Sequence, residues 1–365
     1  MEVQGRATKA LKVKPLKQRG YTPKVSVVIS CYNYGRFLPQ SVQSCLSQQN
    51  VMVEVIIVDD ASTDNSRDVA VELSRVHDNV FFIGHSTNTG PVEAFNDGAR
   101  IATGEFLVRL DADDLLTPGS LARSTLVAQS FPSVGLVYGH PLHFASLPLP
   151  RPRLQANAWT IWPGREWLAD RCRSGKNVIT SPEVLMRRSV VVQVGYLSPL
   201  AHTHDMELWL RLSAFSDVAY IHGADQAWHR EHNQSLSAMY VDELVDFGER
   251  IDAFKVLFSG PAGGLPDAPQ LRETVRRTFA GEALWTARHE LARGSRYAAQ
   301  CKEWLILAEQ LDPQVKECPL WGRLHRTTRL PSTPSWMNIP SLALRLQGRI
   351  KSELSWHRWH RNGVF

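Results

Sequence analysis

No apolar run in this chain of 365 residues approaches the roughly 18–20 residues that a membrane-spanning helix needs. Cysteine is scarce and unpatterned. Cys31, Cys45, Cys172, Cys301 and Cys318 form an odd set without zinc-type spacing, which fits reduced thiols and excludes a disulfide framework. There is no Gly-x-Gly-x-x-Gly, so the dinucleotide fingerprint is missing. No basic glycine-rich loop follows the first strand-like segment, where Cys31 to Arg36 stands instead. The N-terminal residues are polar and basic, without the apolar stretch of a signal peptide. These absences lead to the expectation of a cytoplasmic protein. With 43% hydrophobic and 21% charged residues, the chain can bury a sizeable core, and its length suits one catalytic domain plus an appendage.

What is present is a set of acidic strand ends. Phe106, Leu107, Val108 and Leu110 lead into Asp111-Ala112-Asp113-Asp114. Clustered carboxylates at the end of a buried strand carry a desolvation cost. A divalent cation offsets it and still presents open positions to phosphate oxygens. A second run, Val53-Glu54-Val55-Ile56-Ile57-Val58, has the β-branched character of a buried parallel strand and stops at Asp59-Asp60. Ser62, Thr63 and Asp64 then offer caps for a helix starting near Asn65. A third run, Lys24 to Ser30, ends at Cys31-Tyr32-Asn33-Tyr34-Gly35. Each run is followed by a helical pattern. In open α/β sheets ligands bind beyond the carboxyl ends of the strands, so the three ends are expected to meet in one crevice.

In this order and spacing the segment from about Pro23 to Pro118 resembles the nucleotide-binding half of the family 2 glycosyltransferases. The resemblance rests on Val25 to Ile29, Tyr32-Asn33, Ser41 to Gln48, Ile57 to Asp64, Asn88-Thr89-Gly90, Asn96-Asp97-Gly98, Ala102 to Glu105 and Leu110 to Asp114. The family commonly has Pro-Thr at Ser30-Cys31 and Gly at Ala61. The resemblance implies an α/β fold of GT-A type: a Rossmann-like mixed sheet flanked by helices, with a helical C-terminal extension. It implies a nucleotide-sugar donor, a uridine diphosphate sugar by family habit, and a divalent cation, Mn²⁺ or Mg²⁺. Ser30 and Tyr32 fall where the base would be gripped, and Asp60 where a carboxylate would accept a hydrogen bond from it. Asn88 and Gly90 open a helix facing the crevice. Asp113 is the candidate for direct metal contact. Asp111, with Ala112 beside it, falls at the ribose or the metal's outer shell. Capping or turn bonding is the alternative role of Asp60 and Asp111.

Two further stretches resemble the same family. Gly195 to Pro199 followed by His204 to Arg211 is similar to its acceptor-side motif, which puts the general base on Asp205; an N-cap role for Asp205 is the alternative and is compatible with it. Trp228 to Ser237 is similar to its Tyr-Arg-x-His stretch, with His229 at the Tyr position. There Arg230 would neutralise a diphosphate bidentately, and His232 would ligate the metal or bond the phosphate. The implied reaction is a single displacement with inversion, in which Asp205 takes a proton from an acceptor hydroxyl. The acceptor is expected to be a saccharide or a lipid-linked saccharide. A nucleotidyltransferase and a non-catalytic sugar-nucleotide or polysaccharide-binding module are the competing readings.

The expected domains are a basic arm over 1–22, the glycosyltransferase domain over 23–240, divided near 118, a helical extension over 241–330, and a basic amphipathic tail over 331–365. The net charge of +5 is concentrated at the ends. Arg6, Lys9, Lys12, Lys14, Lys17, Arg19 and Lys24 face only Glu2, and Arg345, Arg349, Lys351, Arg358 and Arg361 face only Glu353. Leu342, Leu346, Ile350 and Leu354 recur every four residues, with Trp356 and Trp359 beyond. This pattern suits an anionic membrane surface, reached from the inner face, better than nucleic acid. A helix packed on the protein's own body fits it equally. The Pro-rich Leu147 to Arg153 is expected near the acceptor. Trp159, Trp162 and Trp167 would stack on a sugar or fill the core. Residues 282–311 read as a helical hairpin with a turn at Gly294-Ser295.

Overall fold

Three β-branched segments build the centre of the sheet because each can bury both faces. The computed structural model describes residues 10–16, 20–232, 242–293, 297–328, 353–354, 356–359 and 362–364. The strands are β1 (Leu11–Val13), β2 (Lys24–Cys31), β3 (Met52–Asp59), β4 (Val80–Gly84), β5 (Phe106–Asp111), β6 (Leu115–Leu116), β7 (Val134–Phe144), β8 (Ala158–Trp162), β9 (Leu185–Arg187) and β10 (Asp217–Arg230). The helices are α1 (Leu38–Leu46), α2 (Ser66–Val76), α3 (Gly90–Ile101), α4 (Ser120–Ser130), α5 (Gly164–Ser174), α6 (Arg188–Val194), α7 (His204–Phe215), α8 (Glu243–Ser259), α9 (Ala268–Arg293), α10 (Ala298–Leu311) and α11 (Pro319–Thr327).

The sheet runs β1-β8-β10-β7-β9-β5-β2-β3-β4, with β6 paired to β10 off this path. The β5-β2-β3-β4 half is parallel throughout. The chain enters it at β2, moves outward to β4, then crosses back to β5 on the other side of β2. This reversal between β2 and β5 is a topological switch point, where the connections leave an opening above the strand ends. The other half is mixed. β9 is antiparallel to both β5 and β7, and β10 is parallel to β7 but antiparallel to β8. One continuous core of Val27, Ile29, Val55, Ile57, Phe106, Val108 and their neighbours spans the two halves. Trp159, Trp162 and Trp167 are buried, so they fill the core. Leu208, Trp209, Leu210 and Leu212 of α7 are buried as well.

α3 lies against the parallel half. A Cβ on Gly98 would come within 2.5 Å of Val28 Cγ1 and 3.0 Å of Val58 Cγ2, so this approach requires glycine. Two compact units make up the chain: residues 1–168 with 177–262, and residues 169–176 with 263–365. α8, expected in the helical extension, therefore belongs to the first unit. Part of the expected basic arm, Leu11–Val13, is a strand paired antiparallel with β8. In the second unit α9 and α10 form the expected hairpin, although α9 begins at Ala268, earlier than expected. Its turn at Gly294-Ser295 lies outside the described residues, as does the amphipathic stretch from Leu342 to Ile350. Among the described residues no helix is long and apolar enough to cross a membrane.

At the opposite end of the parallel half from the switch point, a buried carboxylate ties three segments together. Glu54 accepts from Ser26 Oγ, from Thr103 N at 2.6 Å, from Thr103 Oγ1 at 2.7 Å and from Gly104 N at 3.2 Å, with Lys24 Nζ at 2.7 Å. Burial alone would raise its pKa, but these bonds and the Lys24 charge hold it down at about 2. The folded value lies below the ordinary 4.5. Its stabilisation is therefore present above about pH 4.5 and disappears as pH falls toward 2. In denaturant titrations, Glu54→Gln is expected to cost about 1–3 kcal/mol at pH 7. The gap between the two proteins should close by about pH 2.

Candidate active site

The switch point opens into a cavity of about 510 Å³, within the range of small-ligand sites. β2 contributes Ser30 and Cys31 to its lining, and the following turn contributes Tyr32 and Tyr34. The Ser30 hydroxyl oxygen is buried without a hydrogen-bond partner among the described residues. Tyr32 is largely exposed. Asn33 adopts a left-handed backbone (φ 61), and its side-chain oxygen accepts from Thr63 N at 2.7 Å and Asp64 N at 3.2 Å. The turn after β2 is thereby fastened to the turn after β3. In that second turn Ala61 is also left-handed (φ 58), a conformation that glycine adopts without the Cβ penalty. The expected caps for α2 are partly realised. Asn65 is the N-cap without a side-chain bond, and Asp64 Oδ1 takes Ser66 N at 2.9 Å.

Asp60 lines the cavity and caps α3. Its Oδ1 accepts from Thr89 N at 2.8 Å and Thr89 Oγ1 at 2.9 Å, and its Oδ2 from Gly90 N at 2.7 Å. His85 Nδ1 stands 2.8 Å from Oδ1. Burial pushes the carboxyl up, and these bonds overcome that push, so its pKa is lowered. Oδ2 has one bond and retains a lone pair. Asn88, Gly90 and Pro91 continue the wall.

The end of β5 supplies Asp111, Ala112, Asp113 and Asp114. Arg109, also on β5, reaches Asp111 Oδ1 at 2.8 Å through Nη2 and Ser181 Oγ at 2.7 Å through Nη1. Asp114 accepts from Arg230 N at 2.8 Å and lies 3.1 Å from His229 Nδ1. Burial would lower the His229 pKa, but the Asp114 carboxylate holds it up at about 9. Asp113 differs from its neighbours. Burial, then the Asp114 and Asp111 charges, push its pKa to about 6, and its Oδ2 lies 2.8 Å from His232 Nε2. His232 does not line the cavity; it reaches the site through Asp113.

Arg230 is buried between the rings of Phe37 and Phe144, each centred 4.4 Å from its guanidinium carbon. Its Nε donates to Asp113 O at 2.9 Å and its Nη2 to Gln40 Oε1 at 3.1 Å. A side-on bidentate grip on a diphosphate would have to break these bonds. In this arrangement Arg230 braces the acidic turn.

α7 contributes Asp205 to the lining. The N-cap is Thr203, so Asp205 sits inside the first turn and is not the cap. Its Oδ1 accepts from Met206 N at 2.5 Å. Burial raises its pKa to about 6 against the lowering effect of the Arg109 charge. His204 is pushed down to about 4 by burial, then by Arg109, and is neutral. The turn before α7 is held by Arg211, which donates to the carbonyls of Val194 (2.6 Å), Gly195 (2.8 Å) and Tyr196 (2.6 Å) and pairs with Glu207 at 2.8 Å. Asn96 of α3 pairs with the backbone of Leu197 at 2.9 and 3.0 Å, tying this turn to the parallel half.

The cavity thus gathers Ser30, Tyr32, Asp60, Asn88, Gly90, Asp111, Ala112, Asp113, Asp205 and Arg230. The Pro-rich loop contributes nothing to its lining. Arg153 clamps that loop to the buried Asp225 at 2.5 Å. Sequence reasoning missed Arg109, Thr180, Ser181 and His202, all of which line the cavity, and saw Asp114 in the acidic cluster without giving it a role of its own. Arg109 had one signal, a charge inside an otherwise apolar strand. Among the described residues no three His, Cys, Asp or Glu side chains form a metal cluster. With Asp111 and Asp114 committed to Arg109 and to the His229–Arg230 end of β10, the residues that could hold a cation are Asp113 and His232. One carboxylate and one imidazole fit a cation whose remaining ligands are water and phosphate oxygens.

A parallel Rossmann-like half joined to a mixed half, with the crevice at the switch, is the GT-A glycosyltransferase fold. Residues 26–195, just under half of the chain, match the family described as Glycosyl transferase family 2. An uncharacterized glycosyltransferase of Nostoc sp. is 43% identical over 115 residues, 32% of this chain and 36% of that protein. The poly-beta-1,6-N-acetyl-D-glucosamine synthase of Staphylococcus epidermidis is 25% identical over 191 residues, 52% of this chain and 46% of that protein. The chain therefore spans less than half the length of these two curated relatives. In structure it resembles S. aureus TarS 1–349 in complex with UDP-GlcNAc, with a TM-score of 0.54 and 15% identity over 90% of this chain and 92% of that one.

Ala61→Gly relieves the left-handed backbone and leaves the turn's bonds in place. It is expected to stabilise the protein by about 0.5–1 kcal/mol after the entropy cost of glycine in the unfolded chain. Thermal or urea unfolding reads this directly.

Proposed function

We propose that this chain moves a glycosyl group from a nucleoside-diphosphate sugar to an acceptor hydroxyl by a single inverting displacement. The observation that carries the reading is the presence of two raised carboxylates in the lining of one cavity. Asp113 stands at the end of β5 and Asp205 at the start of α7, and each is raised to about 6. Such pairs mark functional sites. The family 2 match and the TarS likeness support it, since TarS is described bound to UDP and to UDP-GlcNAc.

In this reading the base of the donor enters over Ser30 and Tyr32. The orphan Ser30 hydroxyl donates to a base carbonyl, and Asp60 Oδ2 accepts from a ring N–H. This pairing suits the uracil imide edge and equally an N–H beside a carbonyl in guanine. Asp111, steered by Arg109, faces the ribose. Asp113 and His232 would hold a divalent cation, which supplies charge neutralisation to the diphosphate as it leaves. Arg230 keeps the acidic turn in place and adds positive charge nearby. Asp205, ionised above about pH 6, accepts the acceptor's proton. No second carboxylate nucleophile is required, so the outcome is inversion. The likeness to the S. epidermidis synthase supports a role in polysaccharide or other glycoconjugate assembly. The basic ends would bring the protein to an anionic membrane surface carrying a lipid-linked acceptor.

The test is binding and turnover across UDP-, GDP- and dTDP-sugars with Mn²⁺ or Mg²⁺. Asp205→Asn is expected to lower kcat by roughly a hundredfold to ten-thousandfold with little change in donor affinity. Asp113→Ala is expected to abolish metal-dependent donor binding. Wild-type kcat/KM should fall as pH drops through about 6, because protonated Asp205 cannot act as a base. If no nucleotide-sugar binds in the presence of metal, a binding or scaffold role replaces this one.

A further inference from the structure

Behind Asp60 lies a chain of side chains that the mechanism above does not use. His85 follows β4, and its ring is almost enclosed, with 11% of the side chain exposed. Nδ1 lies 2.8 Å from Asp60 Oδ1, and Nε2 lies 3.1 Å from Asp97 Oδ2 on α3. Thr89 Oγ1 closes the corner, 3.0 Å from Nδ1 and 2.9 Å from Asp60 Oδ1. Carboxylate oxygens only accept, and the Thr89 hydroxyl is a second donor to Asp60 Oδ1 beside the ring. The backbone of His85 is pinned as well. Its N–H donates to Asp59 O at 2.8 Å, and its carbonyl accepts from Arg67, which also pairs with Asp59 at 3.1 Å. Asp97 is steadied in turn by Arg100.

We infer that His85 is a positioning residue for donor recognition: clamped between Asp60 and Asp97, its ring aims the carboxylate that reads the nucleobase. The inference rests on the donor-binding reading above. Asp60 has several hydrogen-bond donors drawing its two oxygens toward the start of α3. The His85 bond to Oδ1 fixes the rotation of the carboxylate, so that Oδ2, with its remaining lone pair, stays at the cavity wall. Without the ring, the carboxylate can turn to satisfy Thr89 and Gly90 alone, and base affinity falls although the phosphate-side residues are untouched.

The test compares UDP with inorganic pyrophosphate, each with Mn²⁺, by calorimetry on the full chain. His85→Ala is expected to weaken UDP binding about tenfold or more, the worth of a charge-assisted hydrogen bond, and to leave pyrophosphate binding unchanged. His85→Asn, whose amide nitrogen occupies the place of Nδ1, should recover most of the loss. Asp97→Asn, at a half-exposed position, probes the outer arm should His85→Ala fold poorly, and should weaken UDP binding by a smaller factor. Unchanged UDP affinity in the folded variants, equal loss for pyrophosphate, or no recovery in His85→Asn overturns the inference. If the wild type binds no nucleotide, the donor reading itself fails. Amide exchange at Thr89 and Gly90 then decides the His85 role: faster exchange in His85→Ala with recovery in His85→Asn upholds it, and unchanged exchange overturns it.

Discussion

Five carboxylates converge on one cavity, and they cannot all stay ionised there without compensation. Much of the surrounding structure is the answer to that constraint. Asp60 is neutralised by the start of α3 and by His85, and Asp111 by Arg109. Asp114 is compensated by a backbone N–H and by His229, whose pKa is held at about 9. Asp113 has His232 Nε2 at 2.8 Å and Asp205 accepts from Met206 N, yet burial outweighs these bonds and both are displaced upward to about 6. Their excess cost is what a bound cation and an acceptor proton would relieve. Electrostatics thus separates carboxylates held in the ionised form by their partners from two that burial raises.

The fold delivers these groups by strand order. Parallel pairing brings the ends of β2, β3 and β5 to one level, and the reversal between β2 and β5 keeps that level open. β10 then runs the length of the mixed half and places His229 and Arg230 against the acidic turn that follows β5. Arg230 is buried between two phenylalanine rings and donates through Nε to Asp113 O, which braces the turn. The start of α7 is held from two sides, by the Arg211 fork on the Val194–Tyr196 carbonyls and by Asn96 from α3. A change in either brace would move Asp205 relative to the donor side.

The parallel half was legible because its signals are local. β-branched runs ending in Asp, caps, and glycine at a close approach each act within a few residues of themselves. Gly98 illustrates this: the close approach of α3 to Val28 and Val58 forbids a side chain there. The departure at Ala61 is a local signal of the same kind, a left-handed position where the family resemblance led to the expectation of glycine. Asp205 and His232 were legible only through resemblance, since nothing near them in sequence indicates what they face. Arg109 was visible as an oddity and Asp114 as part of the acidic cluster, while Ser181 and His202 carried no sequence signal because their partners lie far away in the chain. The Trp159, Trp162 and Trp167 set shows the limit from the other side. Composition allowed sugar stacking or core, and burial selects core.

The sequence by itself determined the strands, the acidic ends, the domain family and the residue types available for chemistry, because periodicity, turn chemistry and charge clustering are written into short windows. Tertiary structure decided which carboxylate is spent and which is left to act. That choice depends on long-range partners: His85 and Thr89 for Asp60, Arg109 for Asp111, and the end of β10 for Asp114. Burial and the charges of neighbours set a carboxylate's protonation, and both exist only once the sheet has brought distant segments together.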